Sequence, residues 1–255
     1  MKSNNNFLII VQARQNSIRF PNKILQEVSG YPVILFLLKR LSLVSFKKKI
    51  VVAIPKGKEN NKLKKNILKK NHNVFLGSEK NVLERYYKCA KKFKATNIIR
   101  VTADCPLVDP KLIDKYVSYF LKKNFDYLSN ANPPSYPDGL DVEIFNFRSL
   151  EKAYLNAKSE HDKEHVTPFI KKMDYFKKFN FLNKKNINKW RLTLDYKEDL
   201  IVLKKIIRHF YPRIDFTFDE IYKYLFSNKK ILEFNKKYMR NSGSKSNINF
   251  KIWQR

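Results

Sequence analysis

Glycine is scarce in this chain, with five glycines among 255 residues. Phosphate-binding loops of the GxxxxGK(S/T) type and dinucleotide-binding turns of the GxGxxG type both need glycine where the backbone approaches the ligand closely. Neither pattern occurs in the sequence. The sequence therefore excludes a P-loop kinase and a dinucleotide-dependent oxidoreductase.

Cysteines and long apolar runs are also lacking. Cys89 and Cys105 are the two cysteines, and no Cys/His spacing typical of a metal site occurs, so a disulfide framework is excluded. No apolar run reaches the ~18 residues that a membrane span requires, and the first residues lack the hydrophobic core of a signal peptide. We therefore expect a cytoplasmic protein that does not insert into a membrane.

Acidic residues are few, because 23 Asp and Glu stand against 53 Lys and Arg, a formal net charge of +30. A basic nucleic-acid-binding module would place aromatic residues between cations on one face. The Phe and Tyr residues instead follow core periodicity, which makes such a module the less favoured alternative and predicts no nucleic-acid partner. We expect a solvated basic surface that can help to attract an anionic substrate.

Strands and helices are predicted to alternate through the first half of the chain. The apolar spacing predicts strands at 7–12, 49–54, 73–76, 97–102 and 126–129. Spacings of i, i+3, i+4 and i+7 predict helices at 31–44, 58–70, 80–93 and 110–123. Short apolar strands joined by helices are typical of βαβ units, which predicts an α/β fold with a mostly parallel sheet covered on both faces.

The alternation breaks near residue 132. We predict an excursion over residues 138–190 that contains an alternating strand and helices at 148–157 and 162–173. The α/β pattern returns within residues 190–210 as a late strand followed by a helix.

Three cations follow the first predicted strand in the stretch IIVQARQNSIRFPNK. They are Arg14, Arg19 and Lys23. The forked guanidinium groups of Arg match phosphate oxygens, and Lys adds a point charge. A strand that runs directly into such a loop indicates a polyphosphate site, although the same residues could be ordinary surface charges.

Two aspartates follow other predicted strands. Asp104 lies just beyond the fourth strand, and Asp195 lies just beyond the late strand. Ligands of doubly wound sheets bind at the carboxyl ends of the strands, and paired carboxylates without His or Cys suit Mg2+. Turn chemistry at Asp104 and a helix N-cap at Asp195 are the alternatives. Together with the cations, the aspartates predict nucleotide chemistry with Mg2+.

The opening stretch VQARQNSIRFPNKIL resembles the signature loop ARxxSxRxPxKxL of the sugar cytidylyltransferases, the family of the CMP-ketosugar-acid synthetases. The SpsF-like subgroup is the more similar one, and the CMP-Kdo and CMP-sialic acid synthetases are relatives. Five further stretches match in the family's order over residues 7 to 205: GSEKNVLERYYKCA, RVTADCPLVDP, YPDGLDVEIF, EHVTPFI and LTLDYKEDL.

The resemblance implies a Rossmann-like three-layer nucleotidyltransferase fold over residues 1–240, with a small dimerisation excursion at 138–190 and a loosely held tail at 241–255. The implied reaction converts CTP and a sugar acid into a CMP-sugar and pyrophosphate, for surface polysaccharide or glycan biosynthesis. A guanylyl- or uridylyltransferase acting on a sugar 1-phosphate is the alternative. Mg2+ is the implied cofactor, and the implied partners are CTP, the sugar-acid acceptor and a second copy of the chain.

The resemblance also assigns site residues. The nucleotide-binding residues it implies are Ala13, Arg14, Ser17, Arg19, Lys23, Gly77, Ser78 and Arg85. The implied catalytic residues are Arg14, Lys23 and Asp104, and the implied metal ligands are Asp104 and Asp195. Two residues depart from the family pattern, because Asn22 stands where many members have Gly and Asn81 stands where Asp is usual.

The acceptor pocket and the dimer contact are both expected in the excursion. Its polar candidates for acceptor binding are Asp138, Asp141, Glu143, Glu164 and His165. For the last two, helix-surface polarity or a subunit contact is the alternative. Its alternating apolar residues are Val142, Ile144, Phe145, Phe147, Phe176, Phe179 and Phe181. A solitary two-stranded ribbon could not bury them, so a partner subunit or the body of the domain must cover them, and we expect a homodimer.

Overall fold

The computed structural model of the chain describes residues 5–240, so the tail predicted at 241–255 lies outside the described residues. The strands are β1 (Phe7–Gln12), β2 (Glu27–Val28), β3 (Tyr31–Pro32), β4 (Lys48–Pro55), β5 (Asn73–Gly77), β6 (Asn97–Thr102), β7 (Tyr127–Ser129), β8 (Glu143–Asn146) and β9 (Lys178–Asn180). The helices are α1 (Val33–Ser42), α2 (Asn61–Leu68), α3 (Val82–Lys92), α4 (Pro110–Lys123), α5 (Phe147–Asn156), α6 (Glu160–His165), α7 (Pro168–Lys172), α8 (Lys197–Phe210) and α9 (Phe218–Ser227). Within residues 5–240, no helix is both long enough and apolar enough to cross a membrane.

Seven of the strands form one sheet in the order β5-β4-β1-β6-β8-β7-β9, while β2 and β3 form a separate hairpin. β1 runs parallel to β4 and to β6, with Ile9 opposite Ile50 on one side and opposite Ile99 on the other. β8 runs antiparallel to β6 and to β7. The predicted mostly parallel sheet is therefore confirmed, with β8 reversed.

Helices cover both faces of this sheet. The side chains of Ile9 and Val11 in β1 pack into a core with α1, α2 and α4, whereas Leu8 and Ile10 pack into a core with α3, α5 and α7. A third core joins α8 and α9 to the β2–β3 hairpin. The layers confirm the predicted Rossmann-like fold, and they leave the carboxyl ends of β1, β4 and β6 at one edge, where ligands of such sheets bind.

The helix predicted at 110–123 matches α4 in both bounds because its start carries two signals. Asp109 accepts a hydrogen bond from the backbone N–H of Lys111, and Pro110 occupies the first helical position. The helix predicted at 31–44 begins two residues later than expected, because those two residues form β3.

The single helix predicted at 162–173 is wrong, because the chain breaks between α6 and α7. Val166 adopts a left-handed φ of 71°, and Pro168, which has no backbone N–H, begins α7. The residue before a proline is disfavoured in a continuous helix. Here that residue is Thr167, and its hydroxyl donates to Glu143 in the sheet.

The late strand predicted before Asp195 is also wrong. The segment is extended, but it makes an isolated bridge between Asp138 and Arg191 instead of joining the sheet. The backbone N–H of Leu194 donates to the carbonyl of Asp104 at 2.8 Å. Bonds between loops, rather than a strand ladder, therefore bring Asp195 beside Asp104.

The apolar residues of the excursion are covered largely by the domain itself, because β8 is inserted into the central sheet. The buried ones are Val142, Ile144, Phe145 and Phe176, and the partly buried ones are Phe147, Phe179 and Phe181. Of the two covers expected for these residues, a partner subunit or the body of the domain, the structure shows the second, so their burial does not require a partner subunit. The homodimer itself stays a prediction.

Arg40 of α1 is a fully buried cation. Its guanidinium donates to the carbonyl of Val108 before α4 and to the carbonyls of Ile214 and Phe216 before α9. Burial lowers the pKa of Arg40 to about 10. These bonds tie the helix that follows the opening loop to the segment before the last helix.

Candidate active site

The loop that follows β1 is fastened at two points. The backbone N–H of Ala13 donates to the carbonyl of Ala53 at 3.1 Å. The side-chain oxygen of Asn60 accepts the N–H of Gln15 at 3.0 Å, and the Gln15 side chain in turn accepts the N–H of Leu63. These bonds hold the start of the loop against the end of β4 and the start of α2.

The predicted phosphate-binding residues of this loop differ in their surroundings. Arg14 is exposed and forms no ion pair with another residue in the described range 5–240. Ser17 is half-buried. Arg19 and Lys23 contact Asp195, and Lys23 is only 8% exposed. Arg14 is therefore available to a ligand from solvent, whereas Lys23 belongs to the interior of the site.

Lys23, Asp104 and Asp195 form the centre of the site. Lys23 Nζ lies 2.7 Å from Asp104 Oδ2 and 2.8 Å from Asp195 Oδ1. Lys23 begins a 3-10 turn after β1, Asp104 follows β6, and Asp195 precedes α8. The structure thus brings together three predicted residues from three separate stretches of the chain, with both carboxylates in contact with the ammonium group of Lys23.

These three groups hold one another in their charged forms. Burial opposes the charge on Lys23, but the two carboxylates raise the pKa of Lys23 above its ordinary value. Burial also opposes ionisation of Asp104 and Asp195, yet the charge of Lys23 lowers the pKa of each below its ordinary value. At neutral pH the centre is an ammonium group between two carboxylates.

Two guanidinium groups complete the surroundings of Asp195. Arg19 Nη2 lies 2.7 Å from Asp195 Oδ1, and Arg191 Nη2 lies 2.8 Å from Asp195 Oδ2. Asp199 fixes Arg191 and also accepts the backbone N–H groups of Asp195 and Tyr196. Since Tyr196 is the N-cap of α8, the alternative that Asp195 serves as the cap is wrong.

Asp138 and Asp141, both predicted to bind the acceptor, adjoin this centre. Asp138 Oδ2 lies 3.0 Å from Arg191 Nη1, and Asp141 Oδ1 lies 2.5 Å from Arg240 Nη2. Burial and the neighbouring Asp141 carboxylate raise the pKa of Asp138 to about 7. Arg191 and Arg240 could not be predicted from the sequence, since a lone arginine in an irregular segment does not reveal its partner.

The remaining predicted acceptor residues form a second group, on the face of the sheet that α3, α5 and α7 cover. Glu143 is 4% exposed and accepts hydrogen bonds from Tyr127 and Thr167. His165 is half-buried, and Glu164 is exposed at the end of α6. The structure therefore divides the predicted acceptor residues between two places.

Gly77, Ser78 and Arg85 lie together at the end of β5. Arg85 Nη1 donates to the carbonyl of Ser78 at 2.7 Å. A Cβ atom at Gly77 would lie 2.6 Å from Arg85 Cγ, so the stem of Arg85 requires glycine there. Burial lowers the pKa of Arg85, and the charge of Arg14 lowers it further. The segment thus lies near the opening loop, as nucleotide binding by both would require.

The two departures from the family pattern preserve local structure. Asn22 has a left-handed φ of 56°, which Gly adopts freely and Asn adopts more readily than most residues. Asn22 therefore allows the same turn, which positions Lys23 in the site. Asn81 caps α3, where its side-chain oxygen accepts the N–H of Glu84 at 2.9 Å, and Asn serves about as well as Asp at that position.

The donor set at the centre fits a magnesium ion. Carboxylate oxygens of Asp104 and Asp195 converge on one point, which the Lys23 ammonium group now contacts. Residues 5–240 contain no group of three or more His, Cys, Asp or Glu arranged to hold a metal. Such a pair suits Mg2+ in particular, because Mg2+ commonly takes one or two protein carboxylates and completes its shell with phosphate and water.

The chain is similar in sequence to a known protein family and to two known proteins. The family model described as cytidylyltransferase matches residues 8–237. The chain is 37% identical over 232 residues to an uncharacterised protein of Methanocaldococcus jannaschii, covering 89% of this chain and 93% of that one. It is 30% identical over 225 residues to the spore coat polysaccharide biosynthesis protein SpsF of Bacillus subtilis, covering 85% and 92%.

Two solved structures share the fold. A cytidylyltransferase from Leptospira borgpetersenii superposes with a TM-score of 0.86 at 30% identity, covering 92% of this chain and 99% of that chain. A CMP:2-keto-3-deoxy-manno-octonic acid synthetase in complex with CTP superposes with a TM-score of 0.61 at 13% identity, covering 80% and 99%.

Proposed function

The chain belongs to the cytidylyltransferase family, and on that premise we propose that it transfers the cytidylyl group of CTP to a hydroxyl group of a sugar acid. Pyrophosphate is the second product. Family membership gives CTP-dependent nucleotidyl transfer, and the acceptor class is the proposed part.

The observation that carries the proposal is the position of Lys23 between Asp104 and Asp195. The three residues lie where β1 and β6 end, beside a loop that presents Arg14 to solvent. Cations that can meet a triphosphate therefore adjoin carboxylates that can hold a divalent cation.

The names of two similar proteins support a sugar acceptor, and one of the two names a sugar acid. The name of SpsF places that protein in the biosynthesis of a spore coat polysaccharide. The synthetase with the CTP-bound structure makes the CMP derivative of a 2-keto-3-deoxy sugar acid, as its name states. We carry both to this chain as a proposal, so that its product would be a CMP-sugar for a surface polysaccharide or glycan.

In the proposed reaction, an acceptor hydroxyl attacks the α-phosphorus of CTP and pyrophosphate leaves in line. Such chemistry requires position and charge stabilisation more than covalent help. Arg14 binds the triphosphate from the solvent side, and Lys23 stabilises negative charge that develops on the phosphorus and the leaving group. Arg19 and Arg191 keep Asp195 ionised and fixed in direction.

Asp104 and Asp195 are the residues that would hold Mg2+. A divalent cation held there would neutralise phosphate charge and favour ionisation of the acceptor hydroxyl. The four-carbon stem of Lys23 is flexible enough for its ammonium group to turn from the carboxylates to the phosphates.

The test is pyrophosphate release by the purified chain with each of the four nucleoside triphosphates. Octulosonic and nonulosonic acids serve as one acceptor panel, and sugar 1-phosphates serve as the other. We expect turnover with CTP and a sugar acid. Turnover with GTP or UTP and a sugar 1-phosphate would contradict the proposal and establish the alternative.

A further inference from the structure

Residues 235–240, the return segment, bring the chain back to the candidate active site after α9. The ring of Tyr238 stacks on the ring of Tyr196, with centroids 3.7 Å apart and planes 3° apart. At the end of the segment, Arg240 pairs with Asp141. The return segment therefore connects the start of α8 with the loop that carries two of the predicted acceptor residues.

Asn235 is the buried residue of the return segment, with 1% of its surface exposed. Its amide nitrogen donates to Asp199 Oδ1 at 2.8 Å and to the carbonyl of Arg191 at 2.9 Å. A side-chain amide nitrogen carries two N–H donors, so both donors of Asn235 are used. Because a buried polar group without its partner is costly, these two bonds fix the amide in one orientation.

Asp199 is fully buried and contacts the backbone that carries Asp195. Its Oδ2 atom accepts the backbone N–H groups of Asp195 at 2.8 Å and of Tyr196 at 2.9 Å. Its Oδ1 atom accepts Nε of Arg191 at 3.0 Å in addition to the amide of Asn235. The position of this one carboxylate therefore determines both the path of the backbone at Asp195 and the direction of the Arg191 guanidinium.

The Arg191 guanidinium has an acceptor for each of its nitrogens. Nη2 donates to Asp195 Oδ2 at 2.8 Å, and Nη1 donates to Asp138 Oδ2 at 3.0 Å. The carbonyl of Met239, within the return segment, also accepts from Nη1 at 3.3 Å. A planar guanidinium with fixed donor directions cannot rotate without losing several of these bonds together. Asp195 is thus restrained through its backbone and through its side chain, and both restraints involve Asp199.

We propose that Asn235 is a positioning residue for nucleotidyl transfer, which acts on Asp195 through Asp199 and Arg191. The inference rests on the proposed function, because that function assigns Asp195 to the transfer site. Without the amide of Asn235, Asp199 Oδ1 keeps Arg191 as its hydrogen-bond donor and the carboxylate is free to tilt. Nucleotidyl transfer depends on position, and a displacement of ~1 Å at the reacting groups can lower its rate about 10²-fold.

The first experiment measures initial rates of pyrophosphate release for Asn235→Ala. We expect kcat to fall about 10–100-fold, because the carboxylate of Asp195 loses its fixed direction, while KM for the acceptor changes less than about threefold. Tyr238→Phe is the control, because it removes a hydrogen bond to Glu198 from the same segment and leaves the bonds of Asp199 in place. Its kcat should equal that of the wild type. An equal fall of kcat in both variants would overturn the proposal.

A double-mutant cycle separates the positioning of Asp195 from a general structural effect. Asn235→Ala is added to Asp195→Asn, and the residual turnover of Asp195→Asn is the reference. If Asn235 acts through Asp195, the added substitution should lower kcat less than about threefold, because no charged carboxylate remains to be oriented. A fall as large as in the wild-type background shows a general structural effect and overturns the proposal.

Urea unfolding at pH 7 makes the same comparison without turnover. We expect the shift of the urea midpoint caused by Asp195→Asn to be smaller by about half or more in the Asn235→Ala background, since the pair of Arg191 and Asp195 is already loosened there. Equal shifts in both backgrounds overturn the proposal. If the wild-type protein turns over no sugar acid, the proposed function fails, and this unfolding cycle alone decides the role of Asn235. If Asn235→Ala does not fold, Asn235→Ser, whose hydroxyl keeps one donor, replaces it in both cycles with the same criteria.

Discussion

Lys23 and Asp195 are separated by 172 positions in the chain, and Lys23 Nζ lies 2.8 Å from Asp195 Oδ1. The contact joins the loop after β1 to the segment before α8, so the site is formed by two parts of the chain that are far apart in sequence. Loss of either partner leaves a charge in a largely buried place. The stability and activity of the site should therefore depend on the charge of each of these residues.

Asp104→Asn and Asp195→Asn should each reduce the turnover number for pyrophosphate release about 10²–10³-fold. The amide keeps the shape of the side chain but removes a charged oxygen ligand for Mg2+. Asp219→Asn, at an exposed position of α9, is the control and should remain near wild type. Near-normal Mg2+-dependent turnover in either site variant would show that the residue does not hold the metal, and circular dichroism checks that the fold is intact.

Arg14→Ala should raise KM for CTP about tenfold or more, because the exposed guanidinium contributes charge-assisted bonds to the triphosphate. Lys47→Gln with Lys49→Gln removes the same kind of charge from the distant surface and should change only the salt dependence of KM. Lys48 is left in place because its ammonium group donates to backbone carbonyls. A larger effect of the lysine pair than of Arg14→Ala would assign affinity to the overall charge.

The centre should lose stabilisation at low pH. The pKa of Asp195 is lower in the folded protein than its ordinary value of 3.8. The ionised carboxylate therefore stabilises the fold fully at pH values above 3.8. This stabilisation is lost as the pH falls from 3.8 through the lower pKa of the folded protein. Urea unfolding should show Asp195→Asn about 2 kcal/mol less stable than wild type at pH 7. The difference should shrink below pH 3.8. A difference that is constant from pH 7 to pH 3 would contradict the ion pair.

Gly77→Ala should weaken CTP binding about tenfold, because the added Cβ would lie 2.6 Å from Arg85 Cγ and displace that side chain. Gly30→Ala is the control, since a Cβ at Gly30 meets nothing within 4 Å and only its φ of 80° is strained. Gly30→Ala should lower the stability of the fold and leave KM for CTP unchanged. Unchanged CTP affinity in Gly77→Ala would remove Arg85 from the nucleotide site.

The protein should be a homodimer paired through residues 138–190. The two most exposed large apolar residues of that range are Leu155, exposed by 70%, and Tyr175, exposed by 59%. Leu155→Asp combined with Tyr175→Asp should therefore produce a monomer in light scattering at micromolar concentration. Leu121→Asp, on α4, should not. A wild-type monomer would refute the dimer, and a dimer that persists in the double variant would place its contact elsewhere.

The sheet and the helices of the first half could be predicted because the buried positions of a strand or a helix recur at a fixed spacing, and apolar residues occupy those positions in the sequence. The ends of α4 were also readable, since Asp109 and Pro110 act locally. The break after α6 also had a local signal in Pro168, which begins α7. The extended segment before Asp195 could not be predicted in the same way, because it depends on a partner that is distant in sequence, the loop of Asp104.

The candidate site shows the same division. Lys23, Asp104 and Asp195 could be named from the sequence because each follows a strand or precedes a helix at the ligand-binding edge. Arg191 and Arg240 could not, because an arginine in an irregular segment resembles a surface charge until its aspartate partner is placed beside it. Local pattern therefore finds the residues at element ends and misses those defined by tertiary pairing.

The bonds of Arg40 make the beginning and the end of the domain one cooperative folding unit. A fragment that ends at residue 210 would retain the guanidinium and the carbonyl of Val108 but lose the carbonyls of Ile214 and Phe216. A buried cation that loses part of its acceptors is strongly destabilising. Such a fragment should not yield a stable nucleotide-binding core. In the intact chain, denaturant transitions followed by far-ultraviolet dichroism and by tryptophan fluorescence should coincide.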